Sequence, residues 1–111
     1  MARIPHADRA VLDIRKIESY CLSPAHPRGR HKARVFREAL GLDRSDAEWL
    51  RHALLDGLLQ QEAVELANDK HGARWRVDIS VMRQNRRVVV RTVWIIRGGE
   101  QAPRFVTCWI V

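Results

Sequence analysis

Cysteine is scarce in this chain: Cys21 and Cys108 are the only two, too few for a disulfide framework and too far apart for a zinc-ligand pair. Both fall in apolar patterns and are expected in the core of a reduced protein. No apolar run approaches the roughly 20 residues needed to span a bilayer, and Met1–Asp8 lacks the hydrophobic segment of a secretion signal. The sequence therefore reads as a self-contained cytoplasmic chain with no membrane partner. Gly-rich phosphate loops, internal repeats and low-complexity tracts are also missing. Carboxylates are absent from residues 26–37, the most basic stretch, which argues against a metal hydrolase. Neither metal nor cofactor is expected.

What is present describes one globular domain over residues 1–111, with 46% apolar residues and a single modest core. Lys and Arg number 20 against 13 Asp and Glu, giving a formal charge of +7. Seventeen of those 20 cations are Arg, and the excess is shared by both halves of the chain, so neither end is a basic tail. The guanidinium fork pairs bidentately with phosphate, so this bias favours a polyanion such as nucleic acid. GC-rich coding would enrich Arg as well.

The cationic stretch is His26-Pro27-Arg28-Gly29-Arg30-His31-Lys32-Ala33-Arg34-Val35-Phe36-Arg37, which runs from a stiff loop into a helix. Helix N-termini present unpaired N–H groups and a positive dipole end, so Arg28, Arg30, His31 and Lys32 oppose local stability while reinforcing an attraction for anions. The structural alternative is a solvated basic loop.

In chain order, residues 1–12 suggest an extended arm anchored by Val11 and Leu12. Asp13 caps a short helix to about Cys21, with Ile14, Ile17 and Cys21 on one side. A second helix spans about Arg30 to Leu40, its apolar stripe made of Lys32, Val35, Phe36, Ala39 and Leu40, and Gly41 closes it. Ser45-Asp46-Ala47-Glu48 predicts a capping box for a third helix to about Gln61, with His52 on its wet side. From Glu62 the period changes to two. Ala63–Ala67 suggests a short strand with Val64 and Leu66 on one face. Trp75, Val77, Ile79 and Val81 alternate with charged residues, Arg87–Arg97 reads as a long central strand, and Arg104–Val111 as the last. The fold expected is α+β: three N-terminal helices packed on one face of a four-stranded antiparallel meander. Its other face, bearing Arg74, Arg76 and Arg91, is a second place for RNA, with Trp75, Trp94 and Trp109 as either core or stacking platforms.

The signature His26-Pro27-x-Gly29-x-His31-Lys32-Ala33-Arg34-Val35-Phe36, with Leu22-Ser23-Pro24 before it and Thr92-Val93-Trp94-Ile95 and Pro103-Arg104-Phe105-Val106-Thr107 after it, resembles an uncharacterised bacterial domain family. Its order of elements is similar to the barnase/EndoU/colicin/RelE group of metal-independent ribonuclease toxins. The resemblance implies an endoribonuclease with an acidic antitoxin or immunity partner, and a His or Lys near the helices acting with a late-strand Ser or Thr. His31, Lys32 and Thr107 correspond to these. The late strand departs from the Thr-x-Tyr-Pro motif of such toxins, reading Thr107-Cys108-Trp109 instead.

Cleavage of RNA through its own 2′-OH requires a base, an acid and cations for the charged phosphorane. The residues assigned are His31 as acid/base with His26 as its second, Lys32, Arg28, Arg30, Arg91 and Arg104 toward the phosphate, and Thr92 or Thr107 orienting it. Two other functions use the same cations: a non-catalytic nucleic-acid-binding module and an accessory domain gripping an acidic protein.

Overall fold

The computed structural model describes residues 3–111, so the first two residues of the expected arm lie outside the described residues. Three helices precede four strands, as the periodicities predict. The first, α1, is a single helical turn, Ile14–Lys16, that continues as a π-helical turn, Ile17–Cys21. Asp13 caps it by accepting the Arg15 amide. The π turn carries Ile17 and Cys21 into the core and leaves Tyr20 partly open.

Helix α2 spans Arg30–Leu40. Its buried stripe is Ala33, Phe36 and Leu40, one position on from the expected Lys32–Val35 start. Val35 is therefore 39% exposed, on the flank that faces β4 (Arg104–Ile110). Gly41, at φ 68°, ends the helix in the left-handed conformation that suits glycine. The expected Ser45/Glu48 capping box forms instead between Asp43 and Asp46, around a 3-10 turn over Arg44–Asp46. The Ser45 hydroxyl donates to Asp43, and Glu48 turns to Arg51 and His52 on the wet face of helix α3, Ala47–Leu58. Asp43 wins because its carboxylate accepts the Ser45 amide while the Asp46 carboxylate accepts its own, a reciprocal pair one turn before α3.

The sheet is a meander in the order β1 (Ala63–Glu65), β2 (Gly72–Arg83), β3 (Arg86–Arg97), β4, all neighbours antiparallel. Gln84 and Asn85, both at positive φ, make the two-residue β2–β3 turn whose twist matches that of the strands. In β1 the side that carries Val64 faces out. Ala63 pairs with inward Val77, which sends Val64 outward opposite Arg76, at 47% exposure. Strand β4 carries a bulge: Val93 faces Thr107 while Trp94 faces Phe105, leaving Val106 as the extra residue.

Helices α2 and α3 cover the face formed by Val77, Ile79, Val81, Val90, Trp94, Phe105 and Cys108. Fully burying a side chain such as Phe36, Phe105 or Leu54 contributes roughly 1.5–3 kcal/mol. Trp75 and Trp94 belong to this core; of the three strand tryptophans only Trp109 reaches the surface region around α2. The N-terminal stretch is more structured than an extended arm. Ile4 and Leu12 are buried either side of a 3-10 turn at Ala7–Arg9. Val11 exposes its side chain but anchors by backbone: its amide donates to Pro103 and its carbonyl accepts from Phe105, along the open margin of β4.

Candidate functional site

The loop before α2 is held by a histidine. His26 Nδ1 accepts the amides of Arg28 and Gly29, each at 3.0 Å, and its carbonyl accepts the Arg30 amide at 2.9 Å. Since Nδ1 is an acceptor twice over, the neutral ring carries its hydrogen on Nε2. The Tyr20 ring meets the imidazole edge-on, centroids 4.6 Å apart. Gly29 is required here because a Cβ would overlap the Tyr20 carbonyl, so loop and π turn touch backbone to backbone.

Near the start of α2, Lys32 crosses to the sheet. Its ammonium donates to Thr107 Oγ1 at 2.9 Å and lies 5.1 Å from the Tyr20 ring centroid and 5.2 Å from that of Trp109. Lys32 lies beside the buried stripe and is itself half-buried, and its charge is fixed between two π faces. An ammonium has three donors, so two remain for a ligand.

These residues line an open depression of about 770 Å³ that brings His26, Lys32 and Thr107 together with Tyr20, Arg15 and Lys16. Lys16 donates to the Phe105 carbonyl at 2.9 Å, and Arg15 forks onto Asp13, holding that carboxyl at a pKa of about 2 through its side-chain hydrogen bonds. A second depression of about 440 Å³ lies beyond Lys32, lined by His31, Val35, Trp109 and Ile110. A third, of about 400 Å³, shares His31 and lies along Arg30, Arg34 and Arg37, which the helix spacing places on the flank away from Lys32 and Val35. His31 itself is exposed. Together the three form a tract around α2 with cations along it, the carboxylates of Asp13 and Asp43 at its margins and aromatic rings at its β4 end.

Three of the residues assigned from sequence are used otherwise, and a fourth, Arg28, lies outside the depressions. Thr92 is fully buried: its hydroxyl donates to the Val77 carbonyl at 2.6 Å and accepts from Trp94 Nε1 at 2.8 Å, so it cannot orient a phosphate. Arg91 is forked onto Asp78 and Arg104 onto Glu100, each holding its partner's carboxyl below the usual range. Of Arg74, Arg76 and Arg91, expected on the open β2–β3 face, Arg74 pairs with Asp69 and Arg91 with Asp78, so two of the three are neutralised. Arg28 is exposed on the loop and joins none of the three depressions, whereas Arg30 lines the third. His52 pairs with Glu48 on the surface, as its wet-face position implies.

Sequence reasoning missed Tyr20 and the pairing of the cysteines. Tyr20 sits at a position whose orientation depends on the π turn, which hydrophobic spacing does not reveal. Cys21 and Cys108, each directly following a site residue, Tyr20 and Thr107, are fully buried with sulfurs 3.7 Å apart. Donation from the Cys108 thiol lowers the Cys21 pKa to about 7, and the same bond together with burial raises that of Cys108.

Among the described residues, no cluster of three or more His, Cys, Asp or Glu side chains is arranged to hold a metal ion, and no helix is long and apolar enough to cross a membrane. Comparison with curated proteins and with solved structures returns no match. A family model described as a domain of unknown function (DUF6883) matches residues 3–111, and the chain belongs to that family.

Proposed function

We propose that this domain binds single-stranded RNA along the tract around α2 and cleaves it without a metal, as a ribonuclease of the toxin type. One observation carries the reading: His26, Lys32 and Thr107, from a loop, a helix and an edge strand, converge on one depression, with Lys32 already tied to Thr107. Lys32 stabilises the charged phosphorane, and the Thr107 hydroxyl, whose oxygen accepts from Lys32, orients the phosphate. His26 and His31 line the depressions on the two sides of Lys32. In-line displacement at phosphorus needs its base and acid on opposite sides of the phosphate, so His31 takes the 2′-OH proton and the Lys32 ammonium supplies one to the leaving 5′-oxygen, while His26, its Nδ1 held by two backbone amides, donates a hydrogen bond to the phosphate from Nε2–H. An acidic antitoxin or immunity protein would neutralise the domain by placing carboxylates on the same cations.

The test is incubation of the protein with an oligoribonucleotide in EDTA, beside His26→Ala, His31→Ala and Lys32→Ala. The expected products are a 2′,3′-cyclic phosphate and a 5′-hydroxyl, formed by the wild type and lost in the variants, with a 2′-deoxy substitution at the cut site protecting the strand. Cleavage undiminished in both histidine variants would overturn the assignment. A non-catalytic RNA-binding module is the second reading, favoured by the commitment of His26 Nδ1 to two backbone amides, which fixes the ring as a structural acceptor. Salt-dependent binding with no cleavage and little effect of His31→Ala supports that reading instead.

A further inference from the structure

We infer that the second depression, between α2 and β4, is a nucleobase subsite that sets the register of the strand on the site. This rests on the RNA reading above and deepens it. The depression at His26 and Lys16 offers Lys32, Lys16 and the Thr107 and Tyr20 hydroxyls to a phosphate, with Arg15 and Asp13 paired to each other at its margin. Its neighbour is different in chemistry: Val35, Trp109 and Ile110 form its walls, with Lys32 and His31 at its margin. Lys32 belongs to both, so a phosphate held by its ammonium lies one nucleotide's reach from the apolar walls. Val35 is a large apolar side chain left 39% exposed on the flank of α2, across from an indole on the edge strand.

Aromatic side chains beside a cationic groove are the usual means of holding single-stranded bases, since every base offers a π face, while sequence preference stays weak. Duplex RNA cannot use such a subsite, because its bases are stacked on one another. The inference therefore names the substrate class as single-stranded RNA, with one base adjacent to the bound phosphate held against Trp109.

The experiment compares two uncleavable ligands at one salt concentration: a 2′-O-methyl adenylate tetramer and the same sugar-phosphate tetramer without bases. The wild type binds the base-bearing ligand roughly tenfold more tightly. Trp109→Ala brings that ratio to near one, Trp109→Phe retains most of it, and Val35→Ser, at an exposed helix position, lowers it. Equal binding of both ligands by the wild type, or an unchanged ratio in Trp109→Ala, overturns the subsite while leaving RNA binding intact. Binding of neither ligand overturns the RNA reading and this inference together.

Discussion

Thr92→Val removes a hydroxyl and almost nothing else, and the structure gives that hydroxyl two duties. It accepts the hydrogen bond of Trp94 Nε1 and donates to the Val77 carbonyl, at a position with no exposed surface. The indole N–H has no second hydrogen to offer and no water to turn to, so losing its acceptor costs about 1–3 kcal/mol of desolvation. The extra methyl of valine recovers a fraction of this by filling the same volume with apolar atoms, and the net loss is about 2 kcal/mol. With a urea slope of roughly 1–3 kcal/mol/M for a domain this size, the unfolding midpoint falls by about 1 M. Thr92→Ser keeps the hydroxyl and loses one methyl, costing about 1 kcal/mol. A Trp94→Phe background should shrink the effect of Thr92→Val, because the orphaned donor is then gone. A Thr92→Val protein as stable as the wild type, or one that loses RNA affinity at unchanged stability, would refute the reasoning and return Thr92 to the site.

Three further outcomes follow from the geometry. Gly29→Ala forces a Cβ into the Tyr20 carbonyl, so thermal unfolding should report a loss of more than about 2 kcal/mol, and a variant that melts with the wild type contradicts the backbone contact described. Asp13, Asp43, Asp69, Asp78 and Glu100 have folded pKa values held below the ordinary carboxylate range by Arg partners, by the Ser45 hydroxyl at Asp43 or by amide donors, so their contribution is complete above that range and fades as pH falls through the folded values, about 2 for Asp13. Melting temperature should accordingly decline on acidification below about pH 4, and less steeply in high salt because these pairs lie near the surface. Cys21 and Cys108 should both resist a water-soluble thiol reagent in the native protein and react once it is unfolded; a thiol that titrates at the native rate of free cysteine contradicts their burial.

The architecture was largely legible because the chain obeys two periods. Trp75, Val77, Ile79 and Val81 alternate so regularly that β2 and its inward face follow at once, and Phe36, Leu40 and Gly41 place α2 and its end. The rest has local causes. A carboxylate pair at Asp43 and Asp46 outcompeted a hydroxyl and carboxylate pair two residues later, and pairing with Val77 decided the facing of β1. The site was half legible. Histidines and cations in one sequence stretch announced it, but Tyr20 and Trp109 reach Lys32 only through a π turn and a bulged strand. Thr92 and Thr107 look alike in sequence, both on strands and both beside valine or cysteine. Only tertiary packing separates the hydroxyl that bridges a buried indole from the one that meets an ammonium.

The backbone pairing of Val11 with Pro103 and Phe105 has a consequence for self-association. A strand at the margin of a sheet is a template for a neighbouring molecule, and β4 carries Phe105, Cys108 and Trp109. The segment around Val11 occupies the first hydrogen-bonding positions of that template, while the opposite margin, β1, is only three residues long. A cut before Leu12 would uncover the longer margin, and oligomers built by strand addition would be the first symptom, ahead of any loss of secondary structure.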